Sequence, residues 1–196
     1  MSVIGRLLAV IGALALAVTA GGGIAAIVMI RRGFSAQDEP STIEVFIART
    51  MRRMSVPARM KELKNPLSAT PEILAGARAH WADHCALCHA NDGSGKTAIG
   101  QALYPRAPDM RAPPTQDLSD GEIYSIIQNG IRMTGMPAWG TTREENDEES
   151  WGLVAFIRHL PRATEHELRE MEKLNPKSAH EVQEQQEEEE FLERGR

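Results

Sequence analysis

The two cysteines of this 196-residue chain, Cys85 and Cys88, stand three positions apart, and His89 follows the second directly. With no other cysteine to draw on, the chain can build neither a disulfide framework nor a four-cysteine zinc site. Zinc held by His84, Cys85, Cys88 and His89 is disfavoured as well, because adjacent His-Cys pairs close poorly into a tetrahedron. A thioredoxin-like dithiol would sit near a βαβ pattern, which the sequence lacks, and would not require His89. What remains for Cys-x-x-Cys-His is thioether attachment: each thiol adds to one vinyl group of a haem, and the histidine is held against the iron. His80, His84, His159, His166 and His180 have no second such motif beside them, so one covalent haem is expected.

The sequence around the motif predicts helices and long loops that need something to pack against. Thr70 can cap a helix with Pro71 at its first position, and Ile73, Leu74, Ala77 and Trp81 form its apolar stripe. Gly76 inside that helix costs about 1 kcal/mol against alanine, and a close helix crossing would explain it. A second helix opens at the capping box Ser119-x-x-Glu122, carries Ile123, Ile126 and Ile127 inward, and stops at Asn129-Gly130. A third runs from about Asp147 to Leu160, presents Trp151, Val154, Phe156 and Ile157, and is ended by Pro161. No alternating strand pattern lies between them, so the fold class is all-α.

Outside this stretch the chain changes character. Leu7 to Ile30 holds no charged side chain. As a helix it would measure about 36 Å, enough to cross a hydrocarbon layer of roughly 30 Å. Val18-Thr19-Ala20 could serve a signal peptidase, but cleavage there would strand the apolar run Ile24 to Ile30 at a new terminus, so an uncut anchor is expected. Arg31-Arg32 with Phe34 follows the apolar run, whereas a twin-arginine signal precedes it. Ser35 to Pro40 is a polar linker. Ser41 then caps an amphipathic helix with Ile43, Phe46, Ile47, Met51 and Met54 on one side and Arg49, Arg52 and Arg53 on the other. It could lie on a membrane surface or pack against the domain. Pro57, Pro66 and Pro71 bracket a second connector.

Charge follows the same division. Residues 1–61 carry eight basic and three acidic side chains, residues 62–161 eight and thirteen, and residues 162–196 six and eleven. The basic excess beside the span suits anionic lipid headgroups. The acidic remainder is no footprint for nucleic acid. Thr164-x-x-Glu167 and Ser178-x-x-Glu181 predict two further helices in an acidic tail, which is either solvated or docked on a partner subunit. Four segments result: an anchor over 1–32, a linker with an amphipathic helix over 33–69, a domain over 70–161, and a helical tail over 162–196.

From Thr70 to Pro161, about half the chain, the sequence resembles the class I mono-haem c-type cytochromes, in a membrane-anchored bacterial form. Gly76, Trp81 and Trp151 match the family's crossing of first and last helices. The resemblance implies an all-α haem fold with Met136, followed by Pro137, as the second axial ligand beside His89; Met133 is the rival. It implies that Leu103 to Asp109 forms the loop beside the proximal histidine, with a backbone carbonyl near Pro105 accepting the His89 ring N–H. Tyr104, Arg106, Arg111 and Trp139 become candidates for the haem propionates. Gly93-Ser94-Gly95-Lys96-Thr97 imitates a phosphate-binding loop, but Ala90 stands where that motif needs its first glycine.

The implied function is one-electron transfer between redox protein partners, possible within a respiratory chain, without a small-molecule substrate. A fixed cytochrome subunit of a larger membrane redox complex is the alternative, and a haem-based sensor or peroxidase with a displaceable Met136 the third reading. The resemblance also implies a single-pass protein of the bacterial inner membrane with its haem domain in the periplasm. The arginine pair Arg31-Arg32 argues mildly for the opposite topology.

Overall fold

The computed structural model describes residues 2–33, 35–140, 147–177 and 179–194, and their backbone is helical or irregular throughout. Ser178, expected to cap a tail helix, and Phe34 lie outside the described residues. Two units are present, Met1–Asp38 and Glu39–Arg196.

The first unit is α1, Val3–Arg32, capped by the Ser2 hydroxyl accepting from the Gly5 N–H at 3.2 Å. Val3–Arg31 has a mean hydropathy of 2.2, and by length and composition this helix can cross a membrane.

The second unit begins with α2, Thr42–Ser55, capped by Ser41. None of its residues is buried, and Phe46 is 69% exposed. Its start is nevertheless fastened to the loop around Pro105: the Tyr104 hydroxyl donates to Glu44, and Arg106 pairs with Glu39, just ahead of the helix, at 3.0 Å. Val56, at the end of α2, and Met60 of α3, Ala58–Glu62, are buried with the main core. The segment after it is bonded in as well: the Leu63 carbonyl accepts from the Gly121 N–H at 3.2 Å, and Asn65 donates to the Trp151 carbonyl at 2.8 Å. The packed core thus reaches back into a stretch whose sequence reads as a connector.

Pro71–His80 forms α4, with Thr70 as its cap as expected. It runs into a π-helical turn, Trp81–Cys85, and then α5, Ala86–His89. Ala98–Ala102 is α6 and Pro113–Gln116 is α7. The expected capping box of Ser119 and Glu122 opens α8, Asp120–Asn129, and Asp147 caps α9, Glu148–His159. Pro161 converts the chain to a 3₁₀ turn, Leu160–Arg162. The box of Thr164 and Glu167 opens α10, Glu165–Glu172; α11 spans Ala179–Arg194.

Helices α4 and α9 cross closely, but not at Gly76. That residue is exposed, with no atom within 4 Å of where its Cβ would stand, whereas Ala77 lies 3.5 Å from the corresponding point on Gly152. The expectation for Gly76 is corrected because it faces solvent, one helical step away from the interface. Trp81 meets Phe156 with ring centroids 5.7 Å apart, and Tyr124 stacks on Trp151 at 4.2 Å. Beyond Pro161 the chain is not simply solvated: Met171 of α10 is 0% exposed, and Arg78 pairs with Glu170 at 2.8 Å.

Candidate functional site

The end of α4 fixes the cysteine segment. Trp81 is buried against Phe156 and donates its Nε1–H to the Ala90 carbonyl at 3.0 Å, spanning the π turn and α5. The carbonyl of Cys88 accepts from the Thr97 hydroxyl at 3.2 Å, and that of His89 from the Gly95 N–H at 2.8 Å. A Cβ on Gly100 would come within 2.1 Å of the Cys88 oxygen, so α6 can press on α5 only with glycine there. Both thiols are free. Burial, and next the neighbouring Cys88, push the Cys85 thiol up to about 12, so it is held as the neutral thiol.

Cys85 and His89 line an apolar cavity enclosing about 700 Å³, solvent at its mouth included. Helix α8 supplies Ile123, Ile126 and Ile127, α9 supplies Leu153 and Ile157, and the loop between them supplies Ile131, Met136 and Trp139. That loop is held in shape by its own backbone: the Met136 carbonyl accepts from Ile131 at 3.1 Å, and the Met136 N–H donates to the Thr134 hydroxyl at 3.1 Å. Gly130, at φ +62, is obligatory, since a Cβ would lie 2.6 Å from the Pro137 carbonyl carbon. The two methionines of the loop separate cleanly. Met136 lines the cavity, whereas Met133 is 91% exposed.

His89 is pulled toward neutrality by burial, and the backbone of Pro108 opposes that shift. Proline has no N–H, so the opposing group is its carbonyl, yet no hydrogen bond of ordinary geometry reaches Nδ1, which is buried and unpartnered. Pro108 lines the cavity with His89, three positions on from the Pro105 region in which the resemblance implies a carbonyl partner. The Ala107 N–H donates to Gly100 at 2.9 Å and the Met110 N–H to Gly93 at 2.7 Å, and this brings the later part of the loop to the cavity.

Of the four propionate candidates, Trp139 alone lines the cavity, where it also meets His84 edge-on at 5.3 Å. Tyr104 bonds Glu44 in the first turn of α2, and Arg106 pairs with Glu39 just before that helix. Arg111 is held by Asp109 at 2.8 Å and Asp92 at 2.9 Å, away from the cavity wall. The cation that does line the cavity is Arg52 of α2, which sequence reasoning places only on the polar side of an amphipathic helix.

These residues fit a covalently held haem. Among the described residues the cavity offers one imidazole with an unsatisfied buried nitrogen, two thioethers, of Met136 and of Met110, whose sulfur accepts from the Thr115 hydroxyl at 3.9 Å, a free thiol of the cysteine pair, apolar walls and a single cation. An imidazole and a thioether are the axial pair that raises the reduction potential of haem iron.

Residues 72–157 match the family described as cytochrome C oxidase, cbb3-type, subunit III, a stretch that begins within α4 and ends within α9. No curated protein matches the chain.

Proposed function

We propose that this chain, whose residues 72–157 form a c-type cytochrome domain, is a membrane-anchored mono-haem electron carrier that passes single electrons between redox proteins. The observation that carries the reading is that Cys85, His89 and Met136 stand on one apolar cavity. Cys85 and Cys88 would hold the haem by thioether bonds, and His89 and Met136 would bind its iron from the protein side. When bound, the haem supplies a one-electron couple. The residues of the chain exclude water from that couple, through the isoleucines of α8 and through Leu153 and Ile157.

The long apolar helix α1 supports a single-pass anchor in a bacterial inner membrane, with the haem domain on the periplasmic side, where covalent attachment takes place in the family it resembles. The exposed Ile43, Phe46, Met51 and Met54 of α2, beside Arg49 and Arg53 and a short linker after the span, support a lipid surface as the neighbour of that helix. The description of the matching family supports a second reading, a fixed cytochrome subunit of a redox complex.

Maturation in a bacterial host competent for c-type haem attachment tests the proposal. The carrier reading expects pigment that stays with the polypeptide after denaturation, and a low-spin, six-coordinate spectrum with a sulfur-to-iron band. Absence of covalent pigment defeats it, and five-coordinate iron that binds external ligands points instead to a sensor or peroxidase. Copurification from native membranes with an oxidase that survives detergent and salt selects the subunit reading. Protease protection of the haem domain in intact spheroplasts would overturn the topology.

A further inference from the structure

Arg52 is an anomaly in the cavity wall. It comes from α2, upstream of the stretch that matches the cytochrome family, and it is the one permanently charged side chain among the described residues that line the cavity. The guanidinium is half-buried, and burial, followed by the like charges of Arg49 and Arg53, destabilises its charged form. The carboxylate of Glu122 offsets this only as the weakest of the four influences. A cation placed among isoleucines and tryptophans at such a cost is waiting for an anion.

Two of the expected propionate contacts serve a different end. Tyr104 and Arg106 hold Glu44 and Glu39, at the start of α2 and just before it. They fasten the helix whose third turn delivers Arg52. From the other end, α2 runs into Val56 and Met60, which are buried in the core. Arg52 is therefore presented by a helix secured on both sides.

We propose that Arg52 is a cofactor-binding residue: its guanidinium pairs with a carboxylate of the bound haem, so that a helix outside the cytochrome domain completes the cofactor's charge balance. This rests on the haem reading above. Arginine suits the task because its planar fork can donate two parallel hydrogen bonds to one carboxylate. Removing the cation would favour the oxidised iron and raise the proton affinity of the carboxylate it had paired.

The test is redox titration of the full-length holoprotein in detergent, without any partner, for the natural chain, R52Q, R52K and R53Q across pH 5 to 9. R52Q should lower the midpoint potential and move its pH-dependent step to higher pH. R52K should fall between, and R53Q should match the natural protein. Wild-type midpoint and pH profile in an R52Q protein with intact covalent haem and six-coordinate spectrum would overturn the proposal. So would an R52Q effect that emerges only when a redox partner is added, since the carboxylate would then be the partner's. Should R52Q fail to mature, an R52K protein indistinguishable from the natural chain overturns it equally. Failure of the natural chain to carry covalent pigment would instead strike the haem reading itself.

Discussion

The carbonyl oxygen of Met60 lies so close to Gly121 that a Cβ on the glycine would stand 1.7 Å from it. The obstruction is backbone, so neither rotamer change nor side-chain bending relieves it. G121A should therefore push α3 off α8 and cost about 1–3 kcal/mol, the usual range for overpacking. Urea denaturation read by far-UV circular dichroism checks this; a midpoint equal to that of the natural chain would mean the two helices are not so tightly joined.

Met133 and Met136 should behave oppositely. M133L changes a side chain that is 91% exposed, and its stability and absorption spectrum should stay within error, about 0.5 kcal/mol in the former. M136L should abolish the sulfur-to-iron band and lower the reduction potential, because a thioether ligand favours ferrous iron. The absorption spectra of the oxidised holoproteins decide between them.

Asp147 is the polar hub between α8 and α9. It accepts from Gln128 at 2.5 Å, from the Ser150 hydroxyl at 3.0 Å, and from the Glu149 and Ser150 N–H groups at 3.1 and 3.3 Å. Burial pushes its pKa up, but the Gln128, Ser150 and Glu149 hydrogen bonds outweigh that and leave it below the ordinary aspartate value. A lowered folded-state pKa stabilises the protein above the unfolded value of about 3.9, and the contribution is lost as pH falls through the folded one. D147A should cost about 0.5–2 kcal/mol at pH 7. Its deficit should shrink below about pH 4. Urea midpoints at pH 7 and pH 3.5 measure both.

Truncation should divide the acidic tail in two. Ending the chain after Lys177 removes α11 and should leave folding and the haem spectrum unchanged, so that any loss of copurifying proteins reports on assembly alone. Ending it after Arg162 would uncover the core where Met171 is fully buried. M171A, by the same reasoning, should cost about 2–5 kcal/mol. Thermal melts of the three variants distinguish the two parts of the tail.

Much of this architecture is written locally. Thr70 with Pro71, Ser119 with Glu122, and Thr164 with Glu167 place helix starts because a cap is a relation between residues one turn apart. The same holds for Cys85, Cys88 and His89. What escapes a reading of the sequence is long-range. Gly76 and Gly152 are each a glycine within a helix, and only the crossing tells which one is pressed by a neighbour. Met60 lies in a proline-bracketed segment whose composition looks like a connector, and Val56 just before it, yet both are buried with the core. Arg52 sits among arginines of the same helix face, and nothing within α2 singles it out; the cavity does. Pro105 and Pro108 differ only in which of two loop positions the Gly93 and Gly100 carbonyls draw inward.

The π turn at Trp81–Cys85 sets where Cys85, Cys88 and His89 point. A π turn holds one surplus residue relative to an α-helix, and each residue of an α-helix advances the wheel by about 100°. Wound as plain α-helix, the same five residues would turn Cys85, Cys88 and His89 by roughly that angle; the π turn takes up the surplus residue and keeps them in phase with α4. The phase of Cys85, Cys88 and His89 thus depends on the backbone taking up one extra amino acid as a π turn, and not on the side chain of Asp83, which pairs with His84.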